Sequence, residues 1–343
     1  MKFVLFCKLP YSFAILKPLE DEILKRGFEV IWYLPEKLFE IFPYKDSDYT
    51  TDINILKEYQ SDVIFVPGNE VPYFLRGIKT QIFHGLAGEK KGHFRIRDYF
   101  DLYLTQGPYF TNKFNQLSQK HKNFDVIQTG WCKLDSLYDI TQETHLYKQM
   151  LLEDYGVKNI ILYSPTFSPS LTSGMKMIEC ITNLSLEKNN LVIIKFHDKM
   201  DKDIINRYKE IKSARLIISD DKDITRLLQI SDLMISDTSS VVYEFALLDK
   251  PVVTLNSKSE NINWANLEDE NEMQKVVSDI LHGNDDFKAR RENVISQYHP
   301  YKDGKSASRM IDAVCEYKKA YGVPSERKLS VLRKFKIWKE YRK

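Results

Sequence analysis

Short apolar runs recur along the chain, each closed by polar or turn-forming residues. The first covers 3–7; a helix-like segment follows over about 13–25, and Gly27 is placed to end it. Pro18 falls inside that segment and argues for a kink. The next run, 28–34, completes a strand–helix–strand crossover unit. Further strand candidates are 62–67, 80–83 and 101–105, before a polar stretch over 112–123 and the segment 126–129 that leads into Gly130. A helix is expected over 145–155. The same alternation then restarts, with strands at 159–163, 191–196, 214–218, 233–235 and 251–255 and helices at 173–188, 223–230 and 240–248. It predicts an α/β chain with parallel, doubly wound sheets. The break between halves falls near 140–158, giving an N-terminal Rossmann-like domain over 1–150, a second domain over 151–320 and a tail over 321–343.

Length agrees with two cores, because 343 residues exceed what a single core usually reaches. With 50 Lys+Arg against 48 Asp+Glu the formal charge is only +2, which gives no reason to expect nucleic acid as a partner. The four cysteines are far apart, with no CxxC pair, so neither structural zinc nor a disulfide framework is suggested, and a reducing cytoplasmic compartment is expected. No apolar stretch is long enough to span a membrane. No GxGxxG, P-loop or GxSxG segment occurs.

Polar residues at strand ends carry the candidate chemistry, because ligands of doubly wound sheets sit beyond the carboxyl ends of the strands. Ser236-Asp237-Thr238-Ser239-Ser240 follows one strand and opens a helix. One of its hydroxyls can serve as an ordinary helix cap, with Glu244 helping. The surplus suits a phosphate held by helix-start amides and hydroxyls. Lys195 and His197 close the 191–196 strand, two residues apart and on one side of an extended chain, offering a fixed charge and a tunable donor. His84-Gly85 ends another strand and is suited to a general base, the Gly allowing a sharp turn. Lys90, Lys91, His93, Arg95 and Arg97 make a basic segment beside it, either solvated or on the acceptor side. Thr166, in Ser164-Pro165-Thr166, and the segment Gly130 to Asp135 also lie at strand ends. No tight metal-ligand spacing occurs, so no metal site is expected, although a divalent ion can enter with a nucleotide. Leu329, Leu332, Phe335 and Trp338 recur among the bases of the tail, a pattern for a basic amphipathic helix that docks on the body or lies on an anionic membrane.

In combination and order, these motifs resemble the CDP-glycerol glycerophosphotransferase family of teichoic acid and capsule assembly. The resemblance rests on His84-Gly85, Gly130 to Asp135, Tyr163-Ser164-Pro165-Thr166, Lys195-Phe196-His197, Ser236 to Ser240 with Glu244, and Tyr301 to Arg309. Asp198 stands where the family pattern has proline. The resemblance implies a GT-B-like fold, two Rossmann-like domains with parallel sheets facing an interdomain cleft. It implies no cofactor beyond a CDP- or CMP-activated donor, and transfer of a polyol phosphate to a hydroxyl of a glycan or lipid-linked acceptor at the cytoplasmic membrane face. It implies that His84 is the catalytic base and that His197 stabilises the leaving nucleotide. Lys195, Thr166, Ser236, Asp237, Thr238, Ser239, Ser240 and Glu244 would hold the donor, with Arg95 and Arg97 on the acceptor side. The transferred group stays open among glycerol phosphate, ribitol phosphate and a sugar. A nucleotide-sugar 2-epimerase and a non-catalytic nucleotide-binding membrane scaffold are the alternatives.

Overall fold

The computed structural model describes residues 1–343 apart from 87–91, 222, 260–261, 326, 328 and 342–343. The apolar runs become strands, and the strands form two parallel sheets in two compact units.

The first unit, Met1–Ser136 with Gln297–Lys343, contains β1 (Lys2–Phe6), β2 (Glu29–Tyr33), β3 (Tyr49–Thr50), β4 (Val63–Val66), β5 (Ile78–Gln81), β6 (Leu102–Thr105) and β7 (Asp125–Gln128). Their order is β3-β2-β1-β4-β5-β6-β7, all parallel. β4, β5 and β6 are buried along their whole length, as expected of strands covered on both faces. The helix Ser12–Lys25 runs through Pro18, whose missing N–H costs one ladder bond without ending the helix.

The second unit, Leu137–Ser296, contains β8 (Asn159–Tyr163), β9 (Asn190–Ile194), β10 (Leu216–Ile218), β11 (Leu233–Ser236), β12 (Val252–Leu255) and β13 (Ala265–Leu267). Their order is β10-β9-β8-β11-β12-β13, again all parallel. Ile161, Val192, Ile194, Ile235 and Val253 meet Met177, Ile181 and Leu184 in its core. In each sheet the order reverses once, at β1/β4 and at β8/β11. Those are the switch points where doubly wound sheets leave a crevice for ligands. Two Rossmann-like units of this kind make a GT-B-like fold.

The chain is divided differently from the contiguous blocks its pattern predicts. The second unit ends at Ser296, and 297–320 belongs to the first. The return is bolted down by specific bonds. Asp135 accepts from the Ser306 and Ala307 amides at 2.8 and 2.7 Å, capping the helix Ser306–Tyr321 from outside it. Arg26 reaches Asp312 at 2.5 Å and the Ser308 hydroxyl at 2.7 Å. Gly130, with φ +85°, lets the segments meet: a Cβ there would stand 2.5 Å from Ser306 Oγ. The tail is not separate either. Its helix, Val331–Tyr341, packs on the first unit, and Leu329 lies outside it.

Candidate active site

In the second unit the switch-point strands β8 and β11 end in Ser164-Pro165-Thr166 and Ser236-Asp237, so two of the polar segments become neighbours. Ser236 is fully buried and donates to Ser164 O at 2.6 Å. Asp237, 1% exposed, accepts from the Thr166 amide at 2.9 Å, the Ser173 amide at 2.8 Å and the Ser173 hydroxyl at 2.9 Å. Burial pushes its carboxyl pKa up, against those hydrogen bonds. Expected as donor ligands, Ser236 and Asp237 instead spend their side chains inside the protein, fixing the loop after β8. Thr238 Oγ1 likewise accepts from the Lys258 amide at 3.0 Å. Ser239 is half-buried and Ser240 exposed, and the helix Val241–Ala246 starts at Ser240 without a side-chain cap, contrary to the capping expectation. Glu244 lies in its first turn.

His197 stands on the same carboxyl edge. The Lys195 amide donates to Tyr163 O at 2.9 Å and carries the ladder one residue past β9. Phe196 then turns inward and His197 outward. Lys195 Nζ donates to Phe196 O at 2.9 Å. The Phe167 ring lies 4.3 Å from the His197 ring, and His197 Nδ1 accepts from the Lys199 amide at 3.1 Å. An accepting Nδ1 carries no proton, so the neutral ring bears its proton on Nε2 and is a donor there. Burial lowers the ring's pKa; Lys199 and Lys195 act the same way and Asp198 opposes them.

In the first unit His84 follows β5 and is exposed. Its Nδ1 lies 3.1 Å from the carbonyl of Pro67, which follows β4. A carbonyl only accepts, so Nδ1 carries the proton and Nε2 is the basic nitrogen of the neutral ring. Tyr11, after β1, places its ring 5.1 Å away. The special backbone here is at Phe83, with φ +62°, and not at Gly85, which has open space around it. A bulky residue held in the left-handed region is strained, and such strain persists where packing over-determines it. Phe83 is packed against His93, Tyr103 and Phe114. Arg97, expected on the acceptor side, turns its guanidinium to Asn69 Oδ1 at 3.3 Å and Arg95 O at 3.1 Å, bracing its own loop. Arg95 is exposed. Lys90 and Lys91 lie outside the described residues, as do Lys328, Arg342 and Lys343 of the tail.

Pro67, Tyr11, Phe167 and Ser173 have no part in the strand-end motifs, and the structure adds them to the two edges. Only Phe167 carried a sequence signal, as the neighbour of Thr166. Among the described residues no group of three or more His, Cys, Asp or Glu converges as a metal site.

A model of the family CDP-Glycerol:Poly(glycerophosphate) glycerophosphotransferase matches residues 81–263, more than half of the chain. The chain belongs to that family. The matched stretch holds His84, Thr166, His197 and 236–244, while 301–309 falls beyond it. Membership makes this glycerophosphotransferase-family chain an enzyme of the transferase class. The teichoic acid poly(glycerol phosphate) polymerase of Bacillus spizizenii is 25% identical over 276 residues, 70% of this chain and 68% of the relative. The teichoic acid ribitol-phosphate polymerase TarL of Staphylococcus aureus is 29% identical over 183 residues, 49% of this chain but only 31% of its own length. The wall teichoic acid polymerase TagF superposes with a TM-score of 0.65 at 15% identity, covering 93% of this chain and 89% of that one. The S. aureus MnaA–UDP structure superposes at 0.67 with 14% identity, covering 96% and 99%. At such identities both structures speak to the fold alone.

Proposed function

We propose that this glycerophosphotransferase-family chain transfers a polyol phosphate, glycerol phosphate first, from a CDP-activated donor to a hydroxyl of a lipid-linked glycan in cell-surface polymer synthesis. The observation that carries the reading is the opposite polarity of its two strand-end histidines. His84 is held with Nε2 as a base, and His197 is held with Nε2–H as a donor. A phosphoryl-type transfer needs both: a proton acceptor at the nucleophile and a donor where charge gathers on the leaving group. In the step, the acceptor oxygen forms a bond to the distal phosphorus of the donor as its proton passes to His84 Nε2. The bond from that phosphorus to the bridging oxygen breaks, and CMP leaves with the electron pair. His197, Ser239, Ser240 and the amides at the start of Val241–Ala246 meet the growing charge. Ser236 and Asp237 act one layer behind, holding Thr166 in place.

The acceptor side falls to the first unit and the donor side to the second, with the protein working at the inner face of the membrane. A thermal-shift panel of CDP-glycerol, CDP-ribitol, CMP-sugars and UDP-sugars tests the donor class. Stabilisation by CDP-polyols supports the reading, and stabilisation by UDP-sugars alone overturns it in favour of an epimerase.

A further inference from the structure

Two glutamines are buried beside the His84 turn, and the transfer step uses neither. Gln81 is the last residue of β5 and is 3% exposed; Gln106 follows β6 directly and is fully buried. β5 and β6 are paired, so both glutamines stand at the carboxyl edge that carries His84. Gln81 Nε2 donates to Pro67 O at 3.3 Å, the carbonyl that also takes His84 Nδ1–H at 3.1 Å. Gln106 Nε2 donates to Gly85 O at 3.2 Å. A carbonyl only accepts, so the NH2 end of each side chain must face it, and the orientation of both amides is settled. The other end of each is poorly served. Gln81 Oε1 and Gln106 Oε1 are buried and have no hydrogen-bond partner among the described residues. A buried acceptor without a partner costs stability, and a methionine of similar size would remove it. Glutamine at both places is therefore explained by what its NH2 holds.

What it holds is backbone with little stiffness of its own. The Pro67 carbonyl belongs to the peptide before Gly68, and a Cβ at Gly68 would meet nothing within 4 Å. A glycine there lets that peptide turn over and carry the carbonyl away from His84. On the far side of His84, Gly85 also has open space, while Phe83 before it is held at φ +62°. A turn with strain on one flank and a glycine on the other has a ready way to relax. Gln106 is itself fixed from behind. A Cβ at Gly107 would stand 2.5 Å from Tyr298 O, so the backbone that returns to the first unit lies directly against it. We propose that Gln81 and Gln106 are positioning residues for the base, Gln81 holding the Pro67 carbonyl that fixes the His84 tautomer and Gln106 holding the Gly85 carbonyl that fixes where the ring stands. With Pro67 O turned away, Nδ1–H loses its acceptor and the proton can move to Nε2, where the ring no longer takes one from a hydroxyl. The inference rests on the base role proposed for His84.

The test compares the native full chain with Gln81→Met and Gln106→Met, which keep the length of the side chain and remove its NH2. Melting temperature is measured, together with CMP release from CDP-glycerol in the presence of a soluble glycerol phosphate oligomer. Nitrogen-15 spectra of the histidine rings report the tautomer, with the His84 signals assigned by their loss in His84→Gln. Native neutral His84 should show a protonated Nδ1 and an unprotonated Nε2. In Gln81→Met the ring should become a mixture of tautomers, and kcat should fall about 10–100-fold with KM for CDP-glycerol unchanged. In Gln106→Met the tautomer should stay and kcat should fall over the same range. Neither melting temperature should drop, because the unpaired acceptor leaves with the NH2. The proposal is overturned by an unmixed His84 tautomer in Gln81→Met, by losses of kcat that follow losses of melting temperature, or by native release from both variants where His84→Gln is inactive. A mixed tautomer in Gln81→Met, with native release from that variant and from His84→Gln alike, upholds the Gln81 contact and removes the base role instead.

Discussion

Replacing Asp237 by asparagine keeps the shape of the side chain and removes its charge, which separates a brace from a ligand. The carboxylate receives the Thr166 amide on one oxygen and the Ser173 amide and hydroxyl on the other. Asparagine has one acceptor oxygen, so its NH2 must face one of those backbone N–H groups. Losing a hydrogen bond to a charged acceptor costs about 1.5–3 kcal/mol, and the buried donor left unpaired adds about 1–3. Relief of the desolvation that raises the Asp237 pKa offsets part of this, leaving a net loss of roughly 3 kcal/mol. For a unit of this length that is about 6–12 °C in melting temperature. Calorimetry of the whole chain, followed by titration with CMP, should show a lowered transition and weaker nucleotide binding as the Thr166 loop loosens. An unshifted transition with CMP binding abolished would make Asp237 a direct ligand and refute the brace.

Gly130→Ala should destabilise the first unit by roughly 2 kcal/mol in denaturant titration, because φ +85° strains a non-glycine residue and the new Cβ meets Ser306 Oγ. Burial holds the pKa of His299 down to about 4, and its Nε2 accepts from the Trp131 amide at 3.0 Å. The folded ring therefore stays neutral while the unfolded one takes a proton near pH 6.5, so this contribution is complete above pH 6.5 and is lost as pH falls toward 4, up to about 3 kcal/mol. His299→Gln should flatten that part of the stability–pH curve; an unchanged curve would contradict the assignment.

Much of the sheet architecture was legible because strands buried on both faces must read as unbroken apolar runs, as in Val63–Val66 and 191–194. The short edge strands were not: Tyr49–Thr50 and Ala265–Leu267 have too few residues to show any period. The return of 297–343 to the first unit was hidden for another reason. The apolar face of Ser306–Tyr321 says that it is buried, but the unit it joins is decided by Asp135 and Arg26, far away in sequence. Strand ends pointed to the polar residues of the site. They could not say which look inward, since Ser236 and Asp237 are covered only when the loop through Thr166 and Ser173 folds over them. The tautomers of His84 and His197 are likewise set by the Pro67 carbonyl and the Lys199 amide, which no spacing rule picks out.

The central claim is that His84 takes the acceptor proton in a transfer that releases CMP. The most direct measurement is acceptor-dependent CMP release from CDP-glycerol, on the native chain and on His84→Gln, with CDP-glycerol affinity measured alongside. The account predicts release only when an acceptor hydroxyl is present, and a fall of about 10²–10⁴-fold in His84→Gln with donor affinity within a few-fold of native. Undiminished CMP release by His84→Gln, or conversion of a UDP-sugar by the native chain without any acceptor, would contradict it.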